Sequence, residues 1–270
     1  MSDQEIVDKL ELVWGSIAAL CEPLSERDWK LATDCPKWSV QDHVSHIVGT
    51  ESRLAGRPVP DHTPEEMGHV HNDIGRGNEI WVDFLRSRTG GHVLEAFREV
   101  TATRLQRLRG MSADDFSEPT QTPVGPGTVR DFMVIRIFDC WVHEQDIRRA
   151  VGRPGHMEGP VVIHSMDRMV RAMPFVVGKK AAAPDGSTVV FDITGPAGRT
   201  VAIGVQGGRA AFLESTAAAA DVRLTMNVEA FTCLGNGRWE GSRALGMDKV
   251  GIDGNRELGE RIVAGMNFMV

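Results

Sequence analysis

The sequence predicts an α+β protein of two domains, a four-helix bundle over residues 1–155 followed by a small α+β domain over residues 156–270. Three observations predict it. Apolar residues recur at helical spacing through most of the first 155 positions. After Gly155 the pattern changes to short, alternating, β-branched stretches separated by Gly, Pro and Asp. Between the two regimes Gly152-Arg153-Pro154-Gly155 offers no place for a regular element, which puts a linker near residues 153–160.

The first helix reads from Val7 to Leu20, with Val7, Leu10, Val13, Trp14, Ile17 and Leu20 on one stripe, and Pro23 stops it. Trp38-Ser39-Val40 opens the second, where Ser39 is a natural N-cap and Val40, Val44, Ile47, Val48 and Leu54 form the apolar stripe. Residues 56–66, rich in Pro, His and acids, read as a loop. Asn78–Arg86 and His92–Leu108 read as helices separated by Thr89-Gly90-Gly91, and residues 119–127 read as a further loop. Thr128 then caps a long helix to about Val151, and helices joined by such turns suggest an up-down bundle. In the second domain one helix (Val161–Val177) precedes strands at Thr188–Ile193, Thr200–Val205, Ala210–Leu213 and Val222–Thr225. Ala217–Ala220 reads as a turn before the last strand, and helices at Val228–Leu234 and Asn255–Met269 finish the chain.

Composition excludes several classes of function. An apolar content of 41% with 25% charged residues is that of an ordinary globular protein, and the net charge of −7 leaves no basic footprint for nucleic acid or an anionic membrane. No apolar run approaches the length of a membrane span, and the acidic start lacks the features of a signal peptide, so a cytoplasmic protein is expected. Cys21, Cys35, Cys140 and Cys233 are scattered, which argues against a disulfide framework or a four-thiolate zinc site. The chain has no tyrosine, and five of its nine histidines (His43, His46, His62, His69, His71) fall within 29 residues.

One constellation stands out on the long helix. Asp139, His143 and Asp146 are spaced i, i+4, i+7, which lines three potential ligands along one helix face at the edge of the buried stripe. A carboxylate and a histidine one turn apart can reach the same divalent ion, and His43 or His46 on the second helix can supply a third donor. The helical wheel does not choose between those two histidines. Glu51 falls inside the apolar stripe, where a carboxylate needs a partner. Glu144 and Gln145 point away from the Asp139 face, Cys140 is expected to pack, and His62, His69 and His71 are expected to be solvated. Arg238, between Gly237 and Trp239, is a candidate anion ligand. No phosphate loop and no nucleophile elbow is present.

The run from Thr33 to Gly49 (Thr-Asp-Cys-Pro-Lys-Trp-Ser-Val-Gln-Asp-His-Val-Ser-His-Ile-Val-Gly) resembles the opening C-P-x-W-S-V-x-D…H-L-V-G motif of the mycothiol-dependent maleylpyruvate isomerase-like proteins, themselves part of the wider DinB-like metal-binding bundles. Asp139-Cys-Trp-Val-His143-Glu-Gln-Asp146, followed by Gly152 and Pro154, is similar to that family's second signature. The C-terminal part resembles the sterol-carrier-like α+β domain these proteins append. The resemblance implies His46, Asp139 and His143 as metal ligands, and matches Arg238 to an arginine that members place near the active site. Characterised isomerases carry Glu at the first of the paired positions, where this chain has the shorter Asp139, which points to a different branch and substrate.

Two histidines, one carboxylate and an open position make a catalytic rather than structural zinc site. The expected activity is therefore that of a metal-dependent, mycothiol-dependent isomerase or S-transferase, in which a metal-activated thiolate attacks a small electrophile and Asp146 orients His143 from behind. Zinc is expected by ligand type, with nickel or iron also suited, and mycothiol is the expected thiol cosubstrate. A non-catalytic small-molecule carrier and a metal-dependent hydrolase are the competing readings, and the chain is expected to be a monomer or homodimer.

Overall fold

The first apolar stripe folds as α1 (Asp3–Cys21) in the computed structural model of the chain, which describes residues 1–65, 67–68, 70, 72–215 and 219–268. In chain order α2 (Glu26–Trp29), α3 (Val40–Leu54), α4 (Asp73–Arg86), α5 (Gly90–Arg109) and α6 (Ala113–Ser117) follow, then a hairpin of β1 (Pro119–Thr122) and β2 (Gly125–Thr128), then α7 (Val129–Ala150). These elements make up one unit, Met1–His156, and the remainder, Met157–Val270, makes a second.

Four helices carry the first unit. α1 packs on α5 and α7, α3 packs on the same two, and α4 lies along α3. Ile6, Leu10 and Ile17 of α1, Val44 and Ile47 of α3, Phe97 and Val100 of α5, and Ile137 and Trp141 of α7 are buried in the shared core. Each such side chain contributes about 1.5–3 kcal/mol on leaving water. α3 is unusual because every residue from Val40 to Ser52 is buried, Gln41, Asp42, His43, His46 and Glu51 among them. Polar groups in such a place must find partners in the facing helices, and this requirement builds the site. Close packing on α3 is possible because Gly49 has no side chain: a Cβ there would lie 2.5 Å from Trp81 Cβ on α4.

The helix ends follow their caps. The Asp42 carboxylate accepts from the Ser39 backbone N–H at 2.8 Å and from its hydroxyl at 2.9 Å, and Asp131 does the same for Thr128 at the start of α7. Gly152, in the left-handed region at φ 64°, ends α7 with a Schellman pattern in which Arg153 N–H donates to Arg148 O at 2.9 Å. Three expectations are corrected here. α4 begins at Asp73 rather than Asn78, because Asn72 caps it by accepting from Gly75 N–H at 2.8 Å and so tolerates two glycines in the first turns. Gly90 and Gly91 belong to α5 rather than to a linker, and a Cβ at Gly90 would meet the Trp29 ring at 2.2 Å. Residues 119–127 are not a plain loop but the paired strands of the hairpin, with Pro119 opposite Thr128 and Pro126 opposite Gln121. Proline at an edge strand leaves one face without donors, which hid the pairing from a reading of the local sequence.

The second unit begins with α8 (Pro160–Arg171), α9 (Met173–Phe175) and a π-helical turn (Val176–Lys180), a broken helix where an unbroken one was expected. Pro174 has no N–H for the i→i−4 ladder. Strands β3 (Thr188–Thr194), β4 (Arg199–Gln206), β5 (Arg209–Phe212), β6 (Val222–Asn227) and β7 (Val250–Gly254) form one sheet in the order β5-β4-β3-β6-β7. Among the described residues only the β3–β6 pair is parallel, and its register sets Val189, Phe191 and Ile193 beside Val222, Leu224 and Met226 in one apolar layer. Helices α10 (Val228–Gly235), α11 (Gly241–Gly246) and α12 (Arg256–Gly265) complete the unit, and Phe231 of α10 meets Phe191 edge-on at 6.5 Å. The sequence did not anticipate α11 or β7. The last helix ends at Gly265, and Ala217, Ala218 and Met269 lie outside the described residues.

Candidate metal centre

α3 and α7 face each other, and the two histidines of α3 meet the polar row of α7 between them. His46 Nε2 lies 3.2 Å from Asp139 Oδ2, and His143 Nε2 lies 3.5 Å from Asp139 Oδ1. The three donor atoms are all within 4.8 Å of one another, and the set is buried except for Asp139, whose side chain is 23% exposed. Tetrahedral coordination at about 2.1 Å separates neighbouring ligand atoms by about 3.4 Å, so the spacing and the N, N, O donor chemistry fit a divalent ion. The exposed side of Asp139 is the side from which a ligand can approach.

His143 is shared. Its other nitrogen, Nδ1, lies 2.8 Å from His43 Nδ1 and 3.6 Å from Asp146 Oδ2, which makes a second group of three possible donors behind the first. The row predicted to face one way is thus divided, with Asp139 at one ring nitrogen of His143 and Asp146 at the other. Hydrogen-bond accounting orders the protons. With the Thr33 hydroxyl donating to Trp38 O at 3.0 Å, the Thr33 oxygen accepts from His43 Nε2–H at 2.8 Å. His43 Nδ1 is then an acceptor, and the proton between the rings is carried by His143 Nδ1. That assignment directs the His143 Nε2 lone pair toward Asp139 and His46 whenever the ring is neutral. The Trp38 indole packs over all three imidazoles, with ring centroids 5.3, 5.4 and 5.7 Å away.

A buried ionic chain holds the carboxylate. Arg136 donates through Nη1 to Asp139 Oδ2 and through Nε to Glu51 Oε1 at 2.8 Å, while Arg104 Nε donates to Glu51 Oε2 at 3.0 Å. Glu51 thus finds two guanidinium partners, and all three residues are buried. Burial works most strongly on Asp139 and against its charge, but the Arg136 cation, His143 and His46 together outweigh it and keep the carboxyl well below the usual range. Burial lowers His46 to about 4, so its ring is neutral near pH 7. For His143 burial acts in the same direction, but Asp139 and then Asp146 overcome it and raise its pKa. Among the described residues His46 Nδ1 is buried without a hydrogen-bond partner, which leaves Nε2 as the ring's polar contact.

Cys140 packs as expected: Trp14 Nε1–H donates to its sulfur at 3.3 Å, and burial pushes the thiol up to about 12. Glu144 turns from the site, ties α7 to α1 through Ser16 at 2.6 Å, and meets His156 of the segment after α7 at 2.7 Å. His62 is not simply solvated but sits 2.7 Å from Asp83 Oδ2, while His69 and His71 lie outside the described residues. Arg238 belongs to the second unit, half-buried after α10, where its Nη1 donates to Asn236 O at 3.1 Å. Sequence reasoning missed Thr33, Trp38, Arg104 and Arg136 as parts of the site. The first two lie in the same short motif as His43 and His46, and Arg136 lies one turn before Asp139.

Residues 10–148, more than half of the chain, match the family model of the mycothiol maleylpyruvate isomerase N-terminal domain. The chain belongs to that family. Residues 175–266 of this family member match the SCP-2 sterol transfer family. The crystal structure of the mycothiol-dependent maleylpyruvate isomerase is similar to it with a TM-score of 0.60 at 14% identity, over 94% of this chain and 93% of that one. A mutant of that enzyme gives a TM-score of 0.58 at 13% identity with the same coverage. Identities this low establish a shared fold. No protein of curated function matches the chain.

Proposed function

We propose that this member of the family is a metal-dependent, mycothiol-dependent enzyme that brings a thiolate to a small electrophile, as a cis–trans isomerase or an S-transferase. The observation that carries the reading is the His46–Asp139–His143 donor set, within 4.8 Å and open on the Asp139 side, in a bundle of this family. A divalent metal, zinc by the nature of the donors, supplies a Lewis acid that keeps a low-molecular-weight thiol ionised at neutral pH.

The protein's own part is preorganisation. Arg136 holds the Asp139 carboxylate ionised and oriented, and the Thr33–His43 pair keeps His143 Nε2 available as a donor. Trp38 covers the imidazole rings, which limits water around them. We assign Arg238 the task of holding a substrate carboxylate, with the guanidinium fork suited to two-point contact. Arg238→Gln should then raise KM more than it lowers kcat.

Elemental mass spectrometry of the purified chain beside His46→Ala, Asp139→Ala and His143→Ala tests the centre. Near-stoichiometric metal in the parent, lost in all three variants, together with mycothiol-dependent turnover of electrophiles, is the expected result. A folded parent chain that stays metal-free and resists zinc loading refutes the proposal.

A further inference from the structure

A cavity of about 770 Å³ lies within the first unit, between the last turns of α3 and α5 and the first turns of α7. Its volume is that of a small-molecule site. Arg53 on its wall is seven residues beyond His46 on α3, and Phe132 is seven before Asp139 on α7, so the cavity is set off from the donor set by roughly 10 Å along each helix.

Three arginines line it. Arg104 is matched by Glu51, but Arg53 and Arg107 form no ion pair among the described residues. Arg53 Nη2 donates to the neutral Asn78 Oδ1 at 3.0 Å. Arg107 Nη1 and Arg104 Nη1 each meet the same oxygen, Leu54 O, at 3.4 Å, which sets two guanidinium groups side by side. Of the two carboxylates on the wall, Asp115 accepts from the Ser112 backbone N–H at 2.7 Å and hydroxyl at 2.8 Å and feels the Arg107 charge without an ion-pair contact, and Glu118 forms no ion pair with Arg53 or Arg107 among the described residues. Partial burial of the Arg53 guanidinium, with Arg136 nearby, depresses its pKa, the electrostatic state that an arriving anion relieves. The rest of the wall includes Leu54, Phe132 and Met133.

We propose that this cavity is a binding site for a small organic acid, its carboxylate seated between Arg53 and Arg107 and its apolar body against Leu54, Phe132 and Met133. Two guanidinium groups on the lining of one cavity suit the two oxygens of a carboxylate, and the apolar wall selects for a hydrocarbon body over an inorganic anion.

Calorimetric titration of the full chain with benzoate, its neutral amide benzamide and inorganic phosphate tests the site. One equivalent of benzoate should bind, more tightly than either control, and the Arg53→Gln/Arg107→Gln double variant should weaken it at least tenfold. Both arginines reach solvent, so the double variant should keep the parent's melting temperature. The same titration on His46→Ala and Arg238→Gln should give parental affinity, which separates this site from the proposed metal centre and from Arg238. Absent binding, equal binding to the double variant, equal binding of phosphate, or loss in His46→Ala each overturns the proposal.

Discussion

His43 and His143 meet Nδ1 to Nδ1 at 2.8 Å, so one proton lies between them, with Asp146 beside both nitrogens and Thr33 at the far nitrogen of His43. With the Thr33 oxygen accepting from His43 Nε2–H, the proton stays on His143 Nδ1 and the opposite nitrogen of His143 faces Asp139. A residue on the loop before α3 thereby controls the chemistry of a residue on α7.

Thr33→Val removes the acceptor and frees His43 to change tautomer, and metal affinity should fall about tenfold, the lower end of what losing an outer-shell partner does. Thr33→Ser restores the oxygen and should restore the affinity. Nitrogen-15 chemical shifts of the two imidazoles report the tautomer directly. An unchanged His143 tautomer in the valine variant would refute this role.

The pH dependence of metal binding follows from unequal histidines. Metal takes the deprotonated Nε2 of His143, and the pKa of that ring is raised, so protons compete from above the ordinary histidine value of about 6.5 downward. Affinity should therefore fall about tenfold per pH unit as pH drops through that raised value, with one proton released per ion bound. His46, held near 4, contributes no second proton until far lower pH, and Asp139 stays ionised throughout. Titrations in buffers of differing ionisation enthalpy count the proton.

Glu51 carries the charge balance of the bundle interior. Glu51→Ala leaves Arg104 without its carboxylate and Arg136 with Asp139 alone, and removing one partner of a buried pair costs about 3–5 kcal/mol. Urea unfolding should show that loss as a shifted midpoint with an unchanged slope. Metal affinity should fall as well, because Arg136 is then free to turn away from the orientation that holds Asp139.

Gly49→Ala tests the close approach of α3 and α4. The added Cβ would lie 2.5 Å from Trp81 Cβ, so one helix must move, at a cost of about 1–3 kcal/mol. Thermal unfolding should register a lower melting temperature, with the far-ultraviolet spectrum of the helices preserved.

The helices that bear the site were legible because their signals are local. Ser39 with Asp42 and Thr128 with Asp131 mark where α3 and α7 start, and the i, i+4 spacing of Asp139 and His143 places them on one face whatever the surroundings. Glu51 could be read as needing a partner, but not that the partners are Arg104 and Arg136, 53 and 85 residues away. The two strands of the hairpin at 119–128 exist through pairing with each other, and β7, with Gly251 and Gly254 in a five-residue strand, exists through pairing with β6, so neither shows in its local pattern.

The sequence by itself determined the change from helical to alternating pattern, the helix starts, and the residue types that can hold an ion. Only the tertiary structure decided that His143 presents one nitrogen to His46 and Asp139 and the other to His43 and Asp146. Helical periodicity fixes the face a side chain occupies, but which ring nitrogen meets which partner depends on how two helices distant in sequence are set against each other.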